Sequence, residues 1–288
     1  MNKDLGSIVN GKIIDENTGN YFFQYQGITY QLPKSLVQKG KLGGQCEAFI
    51  YLDQKNHPKA TQIYPSARQN RYGWAEVTEA HPELGCFVSI GLPDKDMVVS
   101  LDDLPGEKNL WPKSGDRLLV KLIVDKKDRQ WAVPADQEVF QDLTTKIRGN
   151  KKRWMNQIKE VTVYATKLMG TYAITEDYYQ AFIHPSEREV EPRLGQKVKG
   201  RVIGIGQNGN LNLSLKPRSF EAISEDAQML LALMDRQVDG CLPFNDKSDP
   251  KAIRQALGIS KAQFKRALGH LLKQKQVIQT EKGIQRVN

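Results

Sequence analysis

The chain has 288 residues, too many for one small domain and enough for roughly two to four. Apolar residues make up 39% and charged residues 26%, so packed cores are within reach, disordered and fibrous classes are excluded, and no apolar run of about eighteen residues offers a membrane span. The formal charge of +9 is uneven: residues 146–159 carry +6, residues 251–288 carry +8, and the remainder sums to −5. That pattern suits a polyanionic partner, the alternative being two solvated helix faces.

The opening Met1-Asn2-Lys3-Asp4-Leu5-Gly6 lacks the apolar core of a leader. Cys46, Cys86 and Cys241 are widely spaced and odd in number. Neither a disulfide framework nor a zinc site is expected, and the protein is placed in a reducing cytoplasm.

In chain order, three stretches repeat one pattern of short period-two runs. The first, within 1–66, reads Gly6-Ser-Ile-Val-Asn-Gly11-Lys-Ile, Gly19-Asn-Tyr21-Phe-Phe, Ile28-Thr-Tyr-Gln-Leu32 and Leu42-Gly-Gly-Gln-Cys-Glu-Ala48-Phe-Ile. The second, within 67–135, reads Trp74–Val77, Gly85-Cys-Phe87-Val-Ser-Ile, Met97–Leu101, Leu118–Val124 and Gln130–Val133. Residues 136–158 then space Phe140, Leu143, Ile147, Trp154 and Ile158 like a helix interrupted at Gly149-Asn150, giving a basic helical connector. The third stretch, within 159–218, runs Val161–Ala165, Gly170-Thr-Tyr172-Ala-Ile, Ala181-Phe-Ile-His184, Val198–Ile203 and Leu211–Lys216. Asn208-Gly209 supplies a hairpin turn before its last strand, since both residues tolerate positive φ. Five short strands in about sixty to seventy residues suit a small Greek-key barrel of the OB type.

After Pro217 the apolar period lengthens to about 3.6. Ser224 is placed as the N-cap of a first helix with the stripe Ala227, Leu230, Leu231 and Met234. Asp249-Pro250 opens a second helix that Gly258 stops, and the capping box Ser260-x-x-Gln263 opens a third, ending near Lys275. Val277–Thr280, the turn Glu281-Lys-Gly283 and Ile284–Val287 complete a winged helix-turn-helix over 219–288. The fold class is therefore multidomain and mainly β: three OB-type barrels in tandem, then an α+β winged helix.

Candidate functional residues fall into three groups. Tyr21, Phe87 and Tyr172 each follow a marked glycine by two positions, where a ring either stacks on a base or fills barrel core. Lys151, Lys152 and Arg153 form the connector's basic cluster. On the third C-terminal helix, at about 100° per residue, Phe264, Ala267, Leu268 and Leu271 share one side, while Arg266, His270 and Lys273 share the other with Lys265 flanking. That basic face fits a recognition helix or plain solvation. Gly204-Ile-Gly206-Gln-Asn-Gly209 matches the dinucleotide fingerprint, but a period-two strand follows where a helix must begin, so no nucleotide cofactor is expected. The four histidines have no metal spacing. Glu76, Glu79, Glu83, Asp102 and Asp103 lack a paired base, so no catalytic residue, metal or cofactor is assigned.

The third stretch resembles the S1 RNA-binding domain. Gly170-Thr-Tyr172-Ala stands at its Gly-x-Phe-Val, and Phe182-Ile-His184-Pro-Ser186-Glu187 at its Leu-Val-His-x-Ser-Glu. Leu194–Val198 and Leu211–Lys216 complete the match, while Leu32 and Ser100 stand at the histidine position of the first two stretches. The resemblance implies that His184 joins Tyr172 in stacking on bases. Three such barrels, a basic connector and a winged helix together resemble the conserved virulence factor B family over essentially the whole chain. This implies a bacterial, cytoplasmic, non-catalytic protein that binds single-stranded RNA and influences virulence-gene expression. The competing reading is a transcription regulator whose winged helix binds duplex DNA, with the barrels as partner modules.

Overall fold

The computed structural model describes residues 3–37, 40–149, 151–216, 219–237, 239–280 and 283–287. Asn150 of the expected helix break, Pro217, Glu281 and Lys282 of the terminal turn, and the side chain of Ser224 lie outside the described residues.

Alternation of apolar and polar residues closes three barrels in residues 1–215. Barrel one comprises β1 (Ile8–Glu16), β2 (Asn20–Tyr25), β3 (Ile28–Pro33), β4 (Gln45–Leu52) and β5 (Pro58–Thr61). Barrel two comprises β6 (Gly73–His81), β7 (Gly85–Ser89), β8 (Met97–Val99), β9 (Arg117–Val124) and β10 (Gln130–Pro134). Helix α1 (Gln137–Leu143) precedes barrel three: β11 (Ile158–Lys167), β12 (Gly170–Thr175), β13 (Gln180–Ile183), β14 (Lys197–Ile205) and β15 (Leu211–Ser214). In each barrel the third strand pairs in parallel with the fifth, which closes the sheet. Each first strand carries a bulge, between Ile13 and Asp15, Val77 and Glu79, and Val163 and Ala165. Inward residues such as Phe23, Val88 and Ala173 are fully buried.

The barrels share buried contacts. Phe49 and Tyr51 of β4 extend into the core of barrel two, and Tyr51 donates to Asp94 at 2.7 Å. From barrel three, Leu194 fills the same core, and Arg193 donates to both carboxylate oxygens of the buried Asp116 at 3.2 Å. Helix α1 starts at the Asp136 cap and places Phe140 between barrels two and three. Its ring stacks on Tyr164 at 4.0 Å and lies 6.3 Å from Trp74.

The connector differs from expectation. It is α-helical only over Gln137–Leu143, with a second short 3-10 turn at Lys151–Trp154. Between them the chain is a strap across barrel three: Thr145 N–H donates to Tyr178 O, and Ile147 N–H to Gly209 O. Ile147 and Trp154 bury into barrel three's core, so tertiary burial, not helix periodicity, sets the spacing of these apolar residues. At the Asn208-Gly209 turn only the glycine takes positive φ, +79°, and a Cβ there would sit 3.0 Å from Ile147 N.

Residues 216–288 form a second unit. Helices α2 (Ser219–Asp235), α3 (Pro250–Leu257) and α4 (Lys261–Lys273) pack with strands β16 (Cys241–Leu242), β17 (Val277–Thr280) and β18 (Gly283–Arg286), in the order β16-β18-β17. Helix α2 starts five residues before the expected Ser224, because the apolar spacing continues back through Ile223 and Phe220. The two-residue strand β16 is too short to show a period. The expected caps form: Asp249 accepts from Ala252 N–H at 3.2 Å, Gly258 adopts φ +71°, and Ser260 and Gln263 make both bonds of the capping box. No helix among the described residues is long and apolar enough to cross a membrane.

Candidate nucleic-acid interface

The bulge in each first strand fixes which aromatic faces outward. Across it, Tyr172 pairs with Ala165, Phe87 with Glu79, and Phe22 with Asp15. Phe22, rather than Tyr21, therefore occupies the position of Tyr172 and Phe87. Tyr21 has the inward parity of Phe23 and packs against the first barrel's core, with Lys34 Nζ 4.9 Å from its ring. The glycine-plus-two offset fails in barrel one because its second strand starts with Asn20 where the others start with Gly85 and Gly170. The same register puts Pro33, rather than Leu32, at the position of His184 and Ser100. Leu32 is fully buried.

Barrel three presents the most complete face. Tyr172 lies opposite Phe182 with ring centroids 5.2 Å apart at 61°, and Lys167 Nζ is 5.7 Å from the Tyr172 ring. Asn212 is the parallel neighbour of Phe182 on β15. Tyr172 is half-buried because its other side meets Tyr164. His184 is exposed, and its Nδ1 accepts from Ser186 N–H at 3.2 Å, capping a 3-10 turn. The same Nδ1 lies 2.7 Å from Ser186 Oγ. Phe182 shares this face. Its signal in the sequence is its place beside His184 at the same outward parity.

Barrel two has the same frame with opposite charge. Phe87 and Val98 pair across β7 and β8, and Ser100 caps the next turn as His184 does. Here Asp53, Glu79 and Asp96 line the face, and Asp102 and Asp103 follow Ser100. Burial, and then the Asp102 charge, raises the Asp103 carboxyl pKa. The adjacent ammonium, Lys95, donates to Leu52 O at 2.6 Å, and burial lowers its pKa.

The basic candidates occupy two further places. Lys151, Lys152 and Arg153 are exposed on the 3-10 turn anchored by buried Trp154, with Arg153 Cζ 5.2 Å and Lys159 Nζ 5.0 Å from its ring. On α4, Phe264, Ala267, Leu268 and Leu271 are buried, while Lys265, Arg266 and Lys273 are exposed and His270 is half-exposed. Among the described residues, no group of three or more His, Cys, Asp or Glu side chains is placed to hold a metal ion.

Sequence profiles of known families divide the chain in the same order. The S1 domain matches residues 5–62, the CvfB first S1-like domain 72–133, the second domain of the virulence regulatory factor CvfB 143–217, and the CvfB-like winged helix domain 228–285. The uncharacterized protein YitL of Bacillus subtilis is 42% identical over 235 residues, covering 82% of this chain and 77% of its own. Conserved virulence factor B of Staphylococcus aureus is 36% identical over 243 residues, covering 84% of this chain and 79% of its own. A crystal structure of a multidomain protein with nucleic acid binding domains from Streptococcus pneumoniae superposes with a TM-score of 0.72 at 46% identity, covering 99% of both chains. The barrels and the winged helix are thus domains of nucleic-acid-binding types, and the chain belongs to the conserved virulence factor B family.

Proposed function

We propose that the chain binds single-stranded RNA and acts in the regulation of gene expression without catalysing a reaction. The observation that carries this reading is the outward face of barrel three, where Tyr172, Phe182 and His184 lie together beside Lys167. Rings on such a sheet stack on unpaired bases at about 1–3 kcal/mol each, and duplex bases are not available to them. The exposed Lys151, Lys152 and Arg153, and Lys265, Arg266, His270 and Lys273 on α4, are assigned to phosphate. Glu76, Glu79, Glu83 and Asp102 are exposed, and Asp103 is only partly desolvated with no base beside it among the described residues, so no catalytic role is assigned to them. The pneumococcal relative's nucleic acid binding domains and the staphylococcal relative's name agree with a nucleic-acid-binding regulator.

The test is the affinity of the whole chain for single-stranded RNA against duplex DNA of matched length, by fluorescence anisotropy with and without chelator. Tighter RNA binding, unchanged by chelator and with the RNA left intact, is expected. A second reading, duplex DNA recognition by the winged helix, is favoured by the one-sided basic face of α4. It prevails if duplex DNA binds more tightly and changing Lys265, Arg266 and Lys273 to Ala removes only that binding.

A further inference from the structure

Barrel two carries a different chemistry on the strands that run from the edge of its acidic face, where Trp131 is the parallel neighbour of Val98, round to β6. On β6, β9 and β10 the outward positions follow from the register: Trp74 lies opposite Leu119, and Trp131 opposite Ile123. Continuing the same register places Tyr72 opposite Lys121. Each outward ring has its own cation: Lys121 Nζ 5.1 Å from Tyr72, Arg117 Cζ 5.3 Å from Trp74, and Arg129 Cζ 5.3 Å from Trp131.

Three ring–cation pairs thus sit on neighbouring strands of one small barrel. The inward residues of these strands, Ala75, Val120 and Ala132, fill the barrel, and Tyr72 and Trp74 rest one side on the buried cluster of Leu119, Phe140, Tyr164 and Ile174. All three rings are half-exposed. Tyr72, which immediately precedes β6, and Trp74, its second residue, stand roughly 7 Å apart along extended chain and form a ladder of rings edged with positive charge.

The ladder leads into a cleft of about 250 Å³ between barrels two and three, lined by Trp74, Arg117, Ile174, Glu176 and Tyr178. Tyr178 is 39% exposed with φ +61°. Its neighbour Tyr179 meets Trp154 at 5.0 Å, under the basic turn that holds Lys151 and Arg153. The acids along this path are largely engaged. Glu176 pairs with Lys197 at 2.8 Å, and Asp125 accepts from Arg129 at 2.7 Å and from the Trp131 indole N–H at 3.3 Å. Glu76 faces Arg117 across β6 and β9.

We infer that the β6–β9–β10 surface of barrel two is a second binding surface for an extended single strand of nucleic acid, with bases on Tyr72, Trp74 and Trp131 and phosphates on Lys121 and Arg117. The strand continues through the cleft at Trp74 and Tyr178 toward Lys151 and Arg153. This inference rests on the single-strand reading proposed above. It adds a site on a different barrel and on different strands from those that carry Tyr172 and His184.

The experiment uses the whole chain with oligouridylates of about 6 and about 24 nucleotides, since one OB-type barrel covers about 4–16. Trp131→Ala and Lys121→Glu are expected to weaken the long oligomer about 5- to 100-fold, with the short one unchanged. His184→Ala weakens both, and Trp131→Phe retains wild-type affinity. If Trp131→Ala melts early, Lys121→Glu and the Trp131→Phe rescue still decide the matter. Long-oligomer affinity unchanged in Lys121→Glu, while His184→Ala still weakens binding, overturns the second surface and leaves the first reading standing. No binding of either oligomer by the wild-type chain overturns both.

Discussion

Barrels two and three are built on one plan and present opposite chemistry. Both have a bulged first strand, a positive-φ glycine at the start of the second, and a side chain capping the turn after the third. Outward from that frame, barrel three carries Tyr172, Phe182 and His184, and barrel two carries Phe87 among Asp53, Glu79 and Asp96. The inward half of the alternation is constrained by packing, which tolerates little change. The outward half is free to take any charge, so fold likeness alone does not say which face of a barrel meets a polyanion. In barrel two the ring–cation pairs lie over β6, β9 and β10, with Trp131 next to Val98 at the edge of the Phe87 face.

The sharpest test of the common frame is at its glycines. A Cβ on Gly85 would sit 2.1 Å from Val99 O, and one on Gly170 would sit 2.7 Å from Ile183 O, with φ of +107° and +146°. Gly85→Ala and Gly170→Ala are each expected to destabilise residues 1–215 by about 3 kcal/mol or more. Asn20→Ala, at the equivalent position of barrel one, should stay below about 1 kcal/mol. Thermal unfolding measures all three. A tolerated Gly85→Ala would show that the two barrels do not share the constraint.

Next in size is the salt dependence. Changing Lys151, Lys152 and Arg153 together to Ala should flatten the slope of log affinity against log salt by up to about 2 units for single-stranded RNA, near 0.7 for each phosphate no longer neutralised. Changing Lys265, Arg266 and Lys273 should do the same if α4 binds the same RNA. An unchanged slope in both would mean that these cations are solvated faces.

Within barrel three the two named side chains should separate. His184 is exposed and caps only its own turn, so His184→Ala should weaken RNA by roughly 1–3 kcal/mol and leave the melting temperature nearly unchanged. Tyr172 touches Tyr164 and Phe182, so Tyr172→Ala should lower both affinity and stability. Loss of stability alone, with affinity per folded molecule intact, would make Tyr172 a core residue.

How much of this was legible in the sequence depended on the range of the interaction. The caps at Asp249 and Ser260 and the buried stripe of α4 depend on neighbours three or four residues away, and they form as read. The choice between Tyr21 and Phe22 depended on a bulge that shifts parity by one residue without any mark in the local alternation. The connector misled because Ile147 and Trp154 are spaced to fill a barrel that begins after them. The ladder on barrel two was invisible because Tyr72 and Lys121 come from distant parts of the chain and meet only through strand register. Phe182 was within reach, being two residues before His184 on the same outward parity.

The smallest expected effect asks whether charge alone keeps the Phe87 face of barrel two from binding. Glu79 is exposed and lies directly across the bulge from Phe87, so Glu79→Lys changes the local charge by two units without disturbing the core. Exposed charge pairs contribute about 0.2–1 kcal/mol, so affinity for short oligouridylates at low salt should rise about two- to fivefold. The gain should vanish at high salt, where exposed charges are screened. An affinity that stays constant at low salt would point instead to geometry. Gln54 and Asn56 of barrel one line the same face as Phe87 and Val98, so in that case the obstacle would be the loop that carries them. Shortening the loop would then open the face where reversing the charge had not.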